Sequence, residues 1–206
     1  NGPIPIEGEG GHVSFSPRSN DERELDAFMR RHCPHISAEH FVSGGGLENI
    51  YRFLADREGK TAGMTAPEIG KIALAKDGLC RDAVMMLLGS LGTVIADNVL
   101  TLGCWRGVVI GGGIVPRLAP LIVDSPFADR VRKTGSTEHL MAKIPIWLSV
   151  DPYAGLRGAA MDVLDGEHDI TERGHPLITY AKNHDNILIT PHISGASFES
   201  VERTDL

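Results

Sequence analysis

The sequence has few cysteines, and they are not arranged as a disulfide or metal framework. Cys33, Cys80 and Cys104 are odd in number among 206 residues, with no CxxC pair and no cysteine–histidine cluster at metal-ligand spacing. Such usage fits a reducing compartment, so we expect a cytoplasmic protein without a structural metal site.

Long runs of positive charge are also missing. Lysine and arginine number 20 against 27 aspartates and glutamates, the net charge is −7, and no basic run exceeds three residues. Proteins that bind nucleic acid place clustered cations against the phosphates. We therefore expect no nucleic-acid partner.

Neither a signal peptide nor a membrane span is indicated. The first twelve residues lack a charged region followed by an apolar stretch and lack an initiator methionine, so we expect a cut end. The longest apolar region, residues 83–102, contains Asp97 and Asn98. This favours a buried helix over a membrane-spanning one, and we expect no membrane contact.

What is present is an ordinary globular composition, with 42% hydrophobic and 23% charged residues. Ser19 with Glu22, and Thr65 with Glu68, have the capping-box spacing that marks helix starts. Together with the apolar spacing, they predict helices over residues 20–31, 46–59, 65–78 and 79–102.

The longest of these helices is expected to be the central core element. We expect its glycines, Gly89 and Gly92, to permit close packing, and residues 44–46 to form the entry turn of the second helix. The predicted buried face of the long helix consists of Val84, Leu87, Leu88, Leu91, Ile95 and Val99.

Two apolar segments are predicted as strands of a mixed α/β fold. Val108–Ile110 is followed by a glycine turn and by Pro116, where a helix could begin. Residues 144–150 form the second apolar segment, with a further helix expected from about Gly155. Alternating strands and helices indicate that part of the sheet is parallel, and a composition shift divides the chain into residues 1–164 and 165–206.

Glu9 and His12 are candidates for binding a polyhydroxylated ligand. They are separated by glycines in EGEGGH, so both side chains can face one ligand. Glu39, in HISAEHF, is on its own spacing an ordinary solvated helix charge. Sugar hydroxyls need hydrogen bonds to replace those lost from water, and charged acceptors make strong ones. On spacing alone, a surface loop with an exposed histidine and a solvated helix glutamate are the competing interpretations.

These stretches, together with VVIGGGIVPRL and IPIWLSVDPYAGLRGAA, resemble in order and spacing the large domain of bacterial ATP-dependent glucokinases over about residues 3–160. The resemblance implies an α/β fold, actin-like or ribonuclease-H-like. It implies that Glu9, His12 and Glu39 bind glucose and that ATP with Mg²⁺ is the phosphoryl donor in glycolysis. It also implies that the nucleotide lies near Gly111, Gly112 and Gly113. The cysteine-rich zinc motif of the related repressor-type kinases is absent from this sequence.

The resemblance assigns no catalytic residue here. In the family, the catalytic aspartate and the phosphate loops precede the EGGH motif, so we expect the large domain to be incomplete, to lack early strands and to turn over little. Asp97 and Asp151 stand in contexts that the family does not use for the base. An unpaired sheet edge would favour self-association, so a homo-oligomer or a non-catalytic self-associating module is an alternative.

The tail suggests a second family. GAAMDVLDGE and PLITYAKNHDNILITPHISGAS are similar to the carboxyl-terminal part of D-2-hydroxyacid dehydrogenases over about residues 158–206. The resemblance makes His192 the counterpart of their acid/base histidine, and an NAD-dependent dehydrogenase fragment is another alternative. No GxGxxG fingerprint is present, however. The two patterns share residues 158–160, a join typical of a fused, artificial or misassembled sequence.

Overall fold

The structure is a computed structural model that describes residues 8–151. The helix predicted from about Gly155, the tail over residues 165–206 and His192 lie outside the described residues. Those expectations stay predictions, as does the division at residue 165.

The described residues fold mainly into helices, with one pair of short strands. Two single-turn 3-10 helices, Gly10–His12 and Gly135–Thr137, accompany them. The α-helices are α1 (Asn20–Met29), α2 (Glu39–Val42), α3 (Gly44–Arg57), α4 (Ala66–Ala75), α5 (Leu79–Leu102), α6 (Val115–Ile122), α7 (Phe127–Arg132) and α8 (Glu138–Met141), and the strands are β1 (Val108–Ile110) and β2 (Ile146–Leu148).

Helix α5 is the centre of the core, as its apolar face predicts. It packs against α3, α4 and α7. All six residues of the predicted face are buried, from Val84 to Val99. The helix is long and apolar enough to cross a membrane, yet 72% of its most apolar stretch is buried inside the protein. Its apolar surface is therefore covered by other helices of the same chain.

Glycine in α5 allows α7 to approach closely. A Cβ built on Gly92 would lie 2.6 Å from the carbonyl oxygen of Phe127 and 2.8 Å from Cβ of Arg130. A Cβ on Gly89 would lie 3.5 Å from the ring of Pro126 and 4.0 Å from Cγ of Arg130, both ordinary van der Waals separations. Close packing at Gly92 is thus possible only because this residue has no side chain, whereas Gly89 has room for a methyl group.

Both predicted capping boxes are present. In α1, the Ser19 hydroxyl accepts from the Glu22 N–H, and the Glu22 carboxylate accepts from the Ser19 N–H. At α4, Glu68 accepts from the backbone N–H and the hydroxyl of Thr65. These hydrogen bonds lower the pKa of Glu68, the backbone N–H of Thr65 contributing most.

The expected entry turn at residues 44–46 is wrong, because these glycines form the first turn of α3. The hydroxyl of Ser43 accepts from the Gly46 N–H at 2.9 Å and so begins the helix earlier. A Cβ on Gly46 would lie 2.7 Å from the carbonyl carbon of Phe41. Glycine at this position serves the close approach of α2 to α3.

The two strands are parallel neighbours, which confirms the predicted parallel pairing. Val108 pairs with Ile146 and Ile110 with Leu148. The second strand is shorter than the predicted span of 144–150. Ile144, the first residue of the predicted span, precedes the strand and donates its N–H to the carbonyl of Met141 in the turn after α8.

Candidate functional site

The backbone brings the two predicted sugar-binding segments side by side. Ser14 and Ser37 form an isolated antiparallel bridge. The Phe15 N–H donates to the Ile36 carbonyl at 3.2 Å, and the Ala38 N–H donates to the Val13 carbonyl at 2.9 Å. This short ladder places the residue before Val13 next to the residue after Ala38, so His12 and Glu39 become neighbours although 27 positions apart.

The three predicted sugar-binding side chains lie together in the structure. Nε2 of His12 lies 3.8 Å from a carboxylate oxygen of Glu9 and 3.8 Å from a carboxylate oxygen of Glu39. Neither separation is a direct hydrogen bond, so the polar atoms face one another with their bonding capacity still open. The side chains are 86%, 64% and 30% exposed for Glu9, His12 and Glu39, which leaves them accessible to a solute.

Local hydrogen bonds fix the loop that carries Glu9 and His12. The His12 N–H donates to the Glu9 carbonyl at 3.0 Å, closing a 3-10 turn. The His12 carbonyl accepts from Nε2 of His35 at 2.9 Å, which ties the turn to the segment before α2. Gly11, the middle residue of this turn, is buried. The imidazole and carboxylate are therefore presented by a folded turn.

Glu39 is positioned by the packing of α2 against α3. It is the first residue of α2, directly after the buried Ala38 and two positions before the buried Phe41. Phe41 stacks on Phe15, with 3.9 Å between ring centroids, which joins α2 to the ladder strand. The carbonyl of Glu39 would lie 3.0 Å from a Cβ on Gly46. The carboxylate thus stands on a short helix anchored by the core.

The glycine turn predicted near the nucleotide follows β1. Gly111, Gly112 and Gly113 are exposed and separate Ile110 from α6. A Cβ on Gly111 or Gly113 would meet nothing within 4 Å. Gly112 has φ of 102°, which favours glycine. The carboxyl end of a parallel strand followed by a helix start is where α/β proteins bind phosphorylated ligands.

The glycine turn lies beside the elements that carry Glu39. A Cβ on Gly44, the first residue of α3, would lie 3.9 Å from Cδ1 of Ile114. Ile114 directly follows the glycine turn, and Gly44 follows α2 by two positions. The candidate sugar and nucleotide segments therefore belong to one contiguous region of the fold.

A buried acid that sequence reasoning treated only as a helix cap has a wider structural role. Glu22 is 1% exposed, and its carboxylate lies 3.2 Å from a guanidinium nitrogen of Arg130 and 3.3 Å from the Ser90 hydroxyl, which donates to it. The N–H groups of Arg18 and Ser19 donate to its other oxygen. Glu22 therefore joins α1, α5 and α7, a role that its capping-box spacing did not reveal.

A second acid, Asp97, lies on α5 near the loop. Partial burial raises the pKa of Asp97, and the positive charge of Arg18 opposes that rise. Oδ1 of its neighbour Asn98 lies 3.6 Å from the position of a Cβ on Gly10. Helix α5 therefore supports the loop with Glu9 and His12, and we assign no catalytic role to Asp97.

Within residues 8–151, no three histidine, cysteine, aspartate or glutamate side chains are grouped so that they could hold a metal ion. Magnesium in phosphoryl-transfer sites is usually bound by one or two carboxylates together with substrate phosphates and water. The described residues thus offer no ready cage for Mg²⁺.

The architecture is that of glucokinases. A glucokinase from an Antarctic psychrotroph matches with a TM-score of 0.68 and 29% identity, over 75% of this chain and 49% of that one. A glucokinase from Balamuthia mandrillaris in complex with glucose matches with a TM-score of 0.61 over 71% of this chain and 44% of that one; at 19% identity it supports the fold alone. The described residues thus share the actin-like sugar-kinase fold.

The chain belongs to the glucokinase family, whose sequence model matches residues 1–165. A glucokinase from Campylobacter jejuni subsp. doylei is 40% identical over 160 residues, which cover 77% of this chain and 48% of the relative. One from Ralstonia nicotianae is 40% identical over 172 residues, covering 77% and 50%. The chain thus spans about half the length of the curated relatives it matches.

Proposed function

We propose that this chain supplies the glucose-binding part of an ATP-dependent glucokinase. The observation that carries the proposal is that the carboxylates of Glu9 and Glu39 each lie 3.8 Å from Nε2 of His12. The family membership and the order of the motifs support it. A cytoplasmic location and a place in glycolysis belong to the same proposal.

The chemistry of the three side chains suits a pyranose. Each carboxylate accepts hydrogen bonds from sugar hydroxyls, and hydrogen bonds to a charged group are roughly twice as strong as neutral ones. The imidazole can donate from one ring nitrogen or accept at the other. The loop carries Glu9 and His12, and α2 carries Glu39, so one sugar ring can hydrogen-bond to both carboxylates at once. Binding would order the side chain of Glu9 most, because it is the most exposed of the three.

The nucleotide belongs at the exposed glycine turn in this proposal. Without side chains, Gly111, Gly112 and Gly113 let the ligand approach the backbone directly. ATP would arrive with Mg²⁺ on its phosphates, and the metal would neutralise charge there. Since the turn neighbours α3 through Ile114, both substrates would contact one region of the fold.

Glucose titration of the chain by calorimetry tests the site. Glu9→Gln and Glu39→Gln each replace a charged acceptor by a neutral one at nearly constant shape. A hydrogen bond to a charged group contributes about 1.5–3 kcal/mol, so we expect each substitution to weaken glucose binding about 10- to 100-fold. His12→Ala removes the third polar group and should weaken binding as well.

Glu24→Gln is the matched control, because Glu24 is an exposed carboxylate on α1 that faces Arg57 at 3.7 Å. Its affinity for glucose should equal that of the unsubstituted chain. Unchanged affinity in both Glu9→Gln and Glu39→Gln would refute the assignment of these residues, and loss of affinity in the control would show that the effect is not local.

A further inference from the structure

The outer edge of strand β2 is open in the part of the chain that the structure describes. The Val108 N–H donates to the Pro145 carbonyl at 3.0 Å, so the backbone groups of residue 145 face β1. Because backbone groups alternate in direction along a strand, those of Ile146 and Leu148 point away from β1. The N–H and carbonyl groups of these two residues have no hydrogen-bond partner among residues 8–151.

Apolar side chains line this edge on both faces of the sheet. Ile146 and Leu148 pack against the core, whereas Trp147 lies on the opposite face and is 39% exposed. Its ring covers Gly107, where an added Cβ would clash with it. Val150, just beyond the strand, is 78% exposed. Two strands alone are marginally stable, so a further strand beside β2 would stabilise the sheet and cover these side chains.

The apolar pattern of the edge is complementary to itself. The stretch KIPIWLSVD, residues 143–151, has Trp147 at its centre. When two copies of it run antiparallel with Trp147 opposite Trp147, Ile146 lies opposite Leu148 and Ile144 lies opposite Val150. Each of these apolar side chains then faces another apolar side chain, and such cross-strand pairs stabilise a sheet.

The ends of the stretch are complementary in charge. In the same register, the exposed Lys143 lies opposite Asp151. A carboxylate has several acceptor positions, so Asp151 can accept from Lys143 of a second copy in addition to other donors. Centring the pair on Leu148 would instead place Trp147 opposite Ser149. Charge and apolar pattern therefore both select the register centred on Trp147.

The open backbone groups fit this register as well. In an antiparallel pair, residues whose groups face the other strand exchange both N–H···O bonds with the residue opposite. Ile146 can do so with Leu148 of a second copy, and two-fold symmetry repeats the exchange. Trp147 then forms the non-hydrogen-bonded pair, in which side chains are closest. Pro145 does not interfere, because its backbone position faces β1.

We propose that the outer edge of β2 is an interaction surface for a second copy of this chain, whose own β2 adds antiparallel around a two-fold axis at Trp147. Two strands from each copy then form one continuous sheet. The occupant is a second copy because a two-fold interface requires a surface complementary to itself, and this edge is so in apolar pattern, charge and hydrogen bonding. Glucose binding is not involved, so this surface can be tested separately from the sugar site.

Sedimentation velocity of the full chain over a concentration series tests the association. We expect a dimer that dissociates on dilution. Val150→Lys places a charge opposite Ile144, twice by symmetry, and should raise the dissociation constant of the dimer about tenfold or more. Val123→Lys is the matched control, because Val123 is an 89% exposed valine at the end of α6. It should leave the dissociation constant unchanged.

Oxidative cross-linking tests the register. The α-carbons of a non-hydrogen-bonded pair are about 4.5 Å apart, within the span of a disulfide. Trp147→Cys should therefore form a covalent dimer on oxidation, and the unsubstituted chain gives the background from its native cysteines. Val109→Cys is the control, since Val109 pairs with Trp147 on β1. Its two copies would be three strand spacings apart, about 14 Å, which is too far for a disulfide.

A chain that is monomeric at every concentration would overturn the proposal and would leave another segment, such as residues 152–206 of the same chain, as the occupant of the edge. So would a Val150→Lys dimer as tight as the unsubstituted one, equal weakening in Val123→Lys, or no covalent dimer in folded Trp147→Cys. If Trp147→Cys does not fold, the two lysine variants decide, because both replace exposed side chains.

Discussion

The contact between α5 and α7 gives a prediction with an internal control. Gly89→Ala and Gly92→Ala introduce the same methyl group into the same helix, one turn apart. In each, replacing an interior helical glycine by alanine should stabilise the helix by about 1 kcal/mol. The two variants differ only in what the new methyl group meets.

At Gly92 the methyl group would meet backbone. It would lie 2.6 Å from the Phe127 carbonyl oxygen, which cannot rotate away as a side chain can, and 2.8 Å from Cβ of Arg130. Helix α7 must move, at a typical overpacking cost of about 1–3 kcal/mol. That shift would also disturb the Arg130–Glu22 ion pair, whose atoms are 3.2 Å apart. With a cost of about 2 kcal/mol, the middle of that range, less the helix gain of about 1 kcal/mol, we expect a net destabilisation of about 1 kcal/mol.

At Gly89 the methyl group would meet the Pro126 ring at 3.5 Å, an ordinary van der Waals contact, so the helix gain should remain. The two variants should thus differ by about 2 kcal/mol in free energy of unfolding. With a urea slope of about 2 kcal/mol per molar, their midpoints should be about 1 M apart. Urea unfolding followed by far-ultraviolet circular dichroism measures this. A Gly92→Ala midpoint at or above that of Gly89→Ala would contradict the packing argument.

Two further predictions concern carboxylates. Glu22→Gln leaves the Arg130 guanidinium, only 18% exposed, without its counter-charge. We expect urea unfolding to show a destabilisation of about 3 kcal/mol. A loss under 1 kcal/mol would show that the buried ion pair is unimportant for stability. Glu68 has a pKa below its ordinary value, so its stabilising effect should be complete above the ordinary value and lost as pH falls through the lowered one. Glu68→Gln should therefore flatten the acid dependence of the melting temperature, and an unchanged dependence would refute the role of the Thr65 cap.

The helices that could be predicted from sequence are those whose signals are local. The capping box at Ser19 fixes the start of α1, and the apolar face of α5 predicted its buried residues. Helices α7 and α8 escaped prediction because each is under two turns long and has few apolar positions to form a pattern. What holds α7 is its fit against Gly92, a tertiary contact that no local window contains.

The candidate site, too, could be predicted only in part from the sequence. Residue types and spacing singled out Glu9 and His12, whereas Glu39, an ordinary helix charge by its spacing, was added only by the resemblance to glucokinases. Its place beside His12 comes from the ladder through Ser14 and Ser37, two serines without any hydrophobic pattern.

The short helix α2 joins the candidate site to the core. Its first residue, Glu39, faces the candidate sugar site, and its second, His40, contacts Cys33 in the segment before the helix. Consecutive residues on a helix point about 100° apart, so a single turn can face the site and also contact that segment. The turn is anchored by Phe41, which stacks on Phe15, and its backbone packs directly against Gly46 of α3. A side chain added at Gly46 would therefore displace α2 as a whole, and both Glu39 and His40 would move with it.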